Sequence, residues 1–272
     1  MANRVDMYVT ALVVLSIGVL TINFAHGIPV ASRSNAIEYD PEEAAGMVEG
    51  DMMLTDEQIL FLHSPIRGRN GLIAETKRWP NRLVYYKIIG NFDAAHRNAI
   101  LSGIRTLEAR TCLRFQEADA TQKAYVAIDS QIGGCYTAVG YLGKVQTMNL
   151  EVYPIGEGCF RPGTILHEFM HALGFYHQQS ASDRDNYIDV LYDNIVDGKE
   201  FNFKRYTDDV ITDFDVGYDY DSCLHYRPGA FSKNGEDTIV PKDSTATIGQ
   251  RLGLSKKDID KINIMYKCPI EI

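Results

Sequence analysis

No cluster of lysine and arginine occurs anywhere in the 272 residues, and the formal net charge is -9. Nucleic acid and anionic membrane surfaces both demand a basic footprint, so neither is an expected partner. The triplet Asn-x-Ser/Thr is also absent, which removes N-glycosylation from the expectations. There is no internal repeat and no low-complexity tract, so a repeat architecture is excluded. Long apolar runs are missing beyond residue 27; the single one, "YVTALVVLSIGVLTINFA", lies near the start. What remains, with 45% hydrophobic and 23% charged residues, is the composition of a soluble globular protein.

That one apolar run follows Arg4 and ends in the small-residue pattern Ala25-His26-Gly27. It approaches the length that spans a bilayer, so an uncleaved anchor is one reading. Its charge-poor flanks and small terminal residues favour the other, a signal peptide over residues 1–27 removed after Gly27. The mature protein is then expected to be secreted and extracellular, with no membrane partner. Five cysteines, Cys112, Cys135, Cys159, Cys223 and Cys268, suit an oxidising compartment. Spacing leaves open all fifteen ways of making two bridges and one free thiol.

Residues 28–69 carry eight acids against three basic residues and run into "SPIRGRNG". Their few apolar residues follow no period, so this segment reads as extended or loosely held. Arg67 and Arg69 beside glycines offer a protease a nick site; a plain linker is the alternative. From Trp79 onward "RLVYYKII", "AYVAI" and "VQTMNLEV" read as strands. Asp93 can cap a helix carrying Ala95, Ala99, Ile100, Ile104 and Leu107 at helical spacing. A second helix, "GTILHEFMHALG", follows Pro162 and stops at Gly174. A third, "SKKDIDKINIMYK", opens on the capping pair Ser255 and Asp258. Residues 178–250 are rich in Asp, Gly, Asn and Tyr without period, and predict irregular structure folded over a site. Only four residues follow Cys268, so no appended module is expected.

The stretch "HEFMHALGFYH", residues 167–177, places three histidines and a glutamate in an apolar run. His167 and His171 are one helical turn apart and can grip one ion. On a continued helix His177 would sit roughly 240° around the axis and about 9 Å along it, out of reach. Gly174 removes the difficulty, because it tolerates the left-handed conformation that turns the chain back. Three imidazoles leave a fourth position open, the pattern of a catalytic zinc site. Affinity alone would favour copper, but the donor geometry suits zinc. Glu168 points off the ligand face, where it can hold a water beside the metal and move its proton. The full His-Glu-x-x-His-x-x-Gly-x-x-His pattern is the metzincin signature. His26, His63, His96 and His225 read as signal peptide, N-terminal segment, helix surface and packed turn.

With "RWPNRLVYY", "GCYTAVGY", "GCFRPGTILHEFMHALGFYHQQSASDRDNY" and "YDYDSCLHY" in the same order, the chain from Asn70 to Cys268 resembles the astacin family of zinc metalloendopeptidases. The resemblance implies an α+β (α/β) metzincin fold. Its N-terminal half would hold a twisted, five-stranded, mixed and mostly parallel sheet with two long helices. Its C-terminal half would be largely irregular, with the active-site cleft between the two. It implies bridges Cys112–Cys268 and Cys135–Cys159, with Cys223 free. One zinc ion would be held by His167, His171 and His177, with Glu168 and Tyr226 as catalytic residues. "VEGDMML" resembles the family's inhibitory motif, which makes Asp51 a zinc ligand of a latent form. Cleavage between Arg69 and Asn70 would separate a pro-segment, 28–69, from a catalytic domain, 70–272. Expected partners are protein or peptide substrates and an activating protease, with the enzyme acting as a monomer. Two departures stand out: Leu224 replaces the family's turn methionine, and Gln178 replaces the acidic residue after the third histidine. They motivate the rival expectation, a secreted zinc-binding protein that has lost catalysis.

Overall fold

The computed structural model describes residues 40–63, 75–207 and 213–269. The signal-peptide expectation (1–27) and the Arg67, Arg69 and Asn70 expectations fall outside the described residues. The described part of the acidic N-terminal segment is folded, which corrects the expectation of a loosely held chain. Asp40 caps a one-turn helix, α1 (Pro41–Ala44), by accepting the Glu42 N–H at 3.2 Å. A two-residue strand follows, β1 (Met52–Met53), and then helix α2 (Asp56–His63). Thr55 and Gln58 exchange side-chain and backbone hydrogen bonds of 2.8 and 3.2 Å at its start, a capping box. Composition misled here because the acids are buried in pairs with distant arginines, described below, rather than left in water.

Three of the strands lie within the runs expected to form them: β2 (Leu83–Ile88), β4 (Val126–Asp129) and β6 (Gln146–Leu150). Two more, β3 (Arg114–Glu117) and β5 (Cys135–Ala138), are four residues long and lack apolar alternation, so the sequence did not announce them. The sheet order is β1-β5-β6-β4-β2-β3, parallel throughout except for β5 against β6. Five strands come from the region after Trp79; the sixth is lent by the N-terminal segment, with Met52 and Met53 in register with Thr137 and Ala138.

Two helices complete this half, α3 (Ala94–Arg110) and α4 (Pro162–Leu173). Asp93 caps α3 through the His96 N–H at 2.9 Å. The helices meet where α3 has no side chain: a Cβ on Gly103 would lie 2.8 Å from Ile165 Cγ2. Every residue of α4 from Gly163 to Leu173 is buried, so its terminal carbonyls need partners inside the protein. Met170 and His171 carbonyls accept from Gly174 N, and His171 also from Gly140 N. The Ala172 carbonyl accepts from the indole of Trp79 at 2.8 Å and the Leu173 carbonyl from the Tyr266 hydroxyl at 2.8 Å.

The C-terminal half follows the irregular expectation. Among its described residues, short 3-10 turns surround one antiparallel pair, β7 (Ile188–Val190) with β8 (Ile239–Pro241), and a final helix, α5 (Lys256–Met265). Ser255 and Asp258 form the capping box at the start of α5. Phe203, Tyr226, Phe231 and Ile239 belong to a second apolar cluster separate from the sheet core. Disulfides join Cys112 to Cys268 and Cys135 to Cys159, and Cys223 is free and buried.

Candidate metal centre and active site

Helix α4 carries His167 and His171 one turn apart, with Glu168 beside the first, and all three are completely buried. At its end Gly174 adopts φ 112°, the left-handed C-cap that only glycine takes without strain. The chain then doubles back and delivers His177 to the same point. The three ring centroids lie 4.6, 4.7 and 5.2 Å apart. Asp51, from the loop before β1, is the fourth member; one ligand atom from each of the four lies within 4.8 Å of every other.

Each imidazole is oriented through its other nitrogen. His167 Nδ1 lies 2.7 Å from the Cys223 carbonyl, His171 Nδ1 2.7 Å from the Phe175 carbonyl, and His177 Nδ1 2.7 Å from Glu49 Oε2. Carbonyls and carboxylates only accept, so each Nδ1 carries the proton and each Nε2 presents a lone pair. Those lone pairs converge: His167 and His171 Nε2 are 3.0 Å apart, and Asp51 Oδ2 lies 3.0 Å from His167 Nε2 and 3.3 Å from His177 Nε2. Asp51 Oδ1 is buried without a hydrogen-bond partner. A ring of acceptors with no donor repels itself unless a cation sits among them, so this donor set fits a zinc ion.

Glu168 is not in the ring. Its Oε2 accepts the Thr137 hydroxyl at 2.6 Å, and its Oε1 is buried without a partner. Burial first, and then the nearby Asp51 charge, raise its carboxyl well above the ordinary carboxylate range. The ring of Tyr226 lies 4.8 Å from that of His177, and its hydroxyl donates to the Glu49 carbonyl at 2.5 Å. Thus the three histidines, Glu168, Tyr226 and Asp51 are gathered in one place.

The N-terminal segment is held over this centre by charge. Arg161 makes a bidentate pair with Asp40 at 2.8 and 2.9 Å. Arg251 contacts both oxygens of Glu42 at 2.6 to 2.8 Å, and Thr164 donates to Glu42 at 2.7 Å. Arg227 pairs with Glu43 at 2.7 Å. Sequence reasoning missed Glu42, Glu43 and Glu49, along with Thr137. The one available signal was that "EYDPEEAAGMVEGD" is acidic while the three arginines lie scattered far along the chain.

The two departures have structural settings. Leu224 is buried, its carbonyl accepting from Gln178 N at 3.0 Å. Gln178 Oε1 accepts the Lys261 ammonium at 2.6 Å, so a cation from α5 already occupies the amide. His96 sits half-buried at the start of α3: its Nε2 lies 2.9 Å from the Tyr153 carbonyl and its ring 4.4 Å from that of Phe160. His225 is packed, 2.7 Å from the Tyr218 hydroxyl, and burial pushes its pKa down to about 3. Burial raises the Cys223 thiol well above its ordinary value, leaving it unreactive.

Residues 71–267 match the family model described as Astacin, a peptidase family. Seminal metalloprotease 1 of Drosophila melanogaster is 42% identical over 237 residues, covering 85% of this chain and 90% of that protein. Zinc metalloproteinase nas-15 of Caenorhabditis elegans is 40% identical over 202 residues, covering 74% of this chain but only 34% of that longer protein. Among solved structures, High choriolytic enzyme 1, a hatching enzyme zinc-protease from Oryzias latipes (Medaka fish), superposes with a TM-score of 0.64 at 32% identity. The superposition covers 71% of this chain and 94% of that one. The lone-pair ring of three histidines, the glutamate beside it and these likenesses agree: the chain belongs to the astacin family of zinc metalloendopeptidases.

Proposed function

We propose that the protein is a secreted zinc endopeptidase made as a zymogen. Residues 1–27 are its signal peptide, 28–69 its pro-segment and 70–272 its catalytic domain, released by cleavage between Arg69 and Asn70. The observation that carries this reading is the place of Asp51. Its carboxylate lies among the three ligand nitrogens, where an attacking water must stand. Pairing of β1 along β5 supports it further, because a substrate strand added to that sheet edge would need the place β1 takes. The disulfides and the N-terminal apolar run support export.

When the pro-segment leaves, Glu168 faces the cleft with Oε1 free while Thr137 fixes Oε2. Zinc, when bound, supplies the Lewis acid that acidifies a water and polarises the scissile carbonyl. Glu168 accepts the proton of the attacking water and delivers it to the departing amine. Burial, and after it the Asp51 charge, hold its pKa up in the latent site, and departure of the segment takes both the cover and that charge away. Tyr226 loses its Glu49 partner at the same moment, and its hydroxyl is available to donate to the oxyanion.

The test is Glu168→Gln. The variant binds zinc as the parent does, by elemental analysis, while hydrolysis of a quenched protein substrate falls by at least about 10²-fold. Unchanged turnover overturns the mechanism; zinc bound in the nicked parent with no turnover transfers the reading to a binding protein.

A further inference from the structure

Two of the three histidines take the acceptor for Nδ1 from backbone carbonyls of the region after Trp79, those of Cys223 and Phe175. His177 does not. Its acceptor is Glu49, a completely buried side chain of the N-terminal segment, two residues before Asp51. The carboxylate is itself oriented: Oε1 accepts the Ser180 hydroxyl at 3.0 Å and the Tyr206 hydroxyl. The Glu49 N–H donates to Asn202 Oδ1 at 3.0 Å, and its carbonyl accepts from Tyr226. The residue also holds φ 51°, a left-handed conformation unfavourable to any residue with a Cβ, so these bonds outweigh a local strain. A buried carboxylate is expensive unless every oxygen is partnered, and here both are.

We infer that Glu49 is a positioning residue for the metal ligand His177, so that the N-terminal segment builds the zinc centre as well as covering it. An acceptor on the far nitrogen fixes the tautomer and ring angle of a ligating histidine, and a charged acceptor makes the other nitrogen a better donor to the metal. Cleavage then removes two groups at once, Asp51 from the ligand ring and Glu49 from behind His177. The uncleaved chain holds zinc more tightly than the cleaved one by more than the Asp51 contact alone supplies. This rests on the zinc site and not on proteolysis, so it stands or falls separately from the endopeptidase reading.

The experiment uses the whole chain loaded with zinc and challenged with excess chelator, the rate and extent of zinc loss being read with a colorimetric zinc indicator. Glu49→Ala holds zinc about 10- to 100-fold less tightly than the parent. Glu49→Gln, which is isosteric and keeps a carbonyl oxygen for His177, lies between them; it carries the test alone should the alanine variant not fold. A merely structural role would give the same loss by loosening Asp51, so the pair is repeated in an Asp51→Ala background. There the segment no longer reaches the metal, and Glu49→Ala still lowers zinc retention. After limited proteolysis and removal of the segment, parent and variant retain zinc equally. Equal retention before cleavage, or an effect that vanishes in the Asp51→Ala background, overturns the proposal.

Discussion

Leu224 stands two residues before Tyr226, where the family's turn carries methionine, and its side chain is buried. Leucine and methionine differ little in volume, and such exchanges cost less than about 1.5 kcal/mol. Leu224→Met therefore leaves zinc content unchanged and moves the melting temperature by no more than a few degrees in calorimetry. A loss of zinc would mean that this position does more than fill space. The meeting of His167, His171 and His177 was legible in the sequence, because a helix repeat and one glycine dictate it. Glu49, Thr137 and Lys261 were not legible. Each meets its partner across a long stretch of chain, at separations of 128, 31 and 83 positions, and no local period encodes such a meeting.

At the scale of elements, α1 is a single turn that could not persist alone, since helix nucleation is unfavourable and so short a piece gains little. It is held by Arg161, Arg251 and Arg227. Glu43 makes this seat sensitive to pH. Burial outweighs Arg227 and the Phe231 N–H and pushes its pKa up to about 7, against 4.5 in an open chain. In the folded chain Glu43 therefore keeps a proton that the unfolded chain has released between those values. Its contribution is complete below pH 4.5 and is lost as the pH rises through 7, a change of about 3 kcal/mol in all. Thermal unfolding from pH 4.5 to 8 should show the parent losing stability relative to Glu43→Gln; parallel curves would refute this. The long helices were legible from spacing and caps, whereas β3 and β5 were not, because "RFQE" and "CYTA" alternate in no recognisable way and owe their form to neighbours in the sheet.

For the whole molecule, the Cys112–Cys268 bridge spans 156 residues and ties the start of β3 to the end of α5. On the chain-entropy model a loop of that length contributes roughly 4–5 kcal/mol. Replacing both cysteines by alanine should lower the melting temperature by about 10 °C or more, given a sensitivity of about 2–4 °C per kcal/mol at this size. An unchanged transition would show that the ends are held without it. The division into a sheet half and an irregular half was legible, since periodic segments stop near His177 and turn-forming residues take over. The resemblance of "VEGDMML" foretold Asp51 at the metal centre, but the seating of Asp40, Glu42 and Glu43 was not legible, because it lives in charge pairs with arginines far along the chain.

The central claim is that zinc chemistry in this cleft is held back by the segment that covers it. It is tested most directly by incubating recombinant residues 28–272 with a quenched fluorescent protein substrate before and after limited trypsin treatment, with and without a zinc chelator. The account predicts little hydrolysis from the intact chain, hydrolysis that appears on nicking near Arg69, and its disappearance with chelator. Full activity in the uncut chain, or none after verified cleavage with zinc bound, would contradict it.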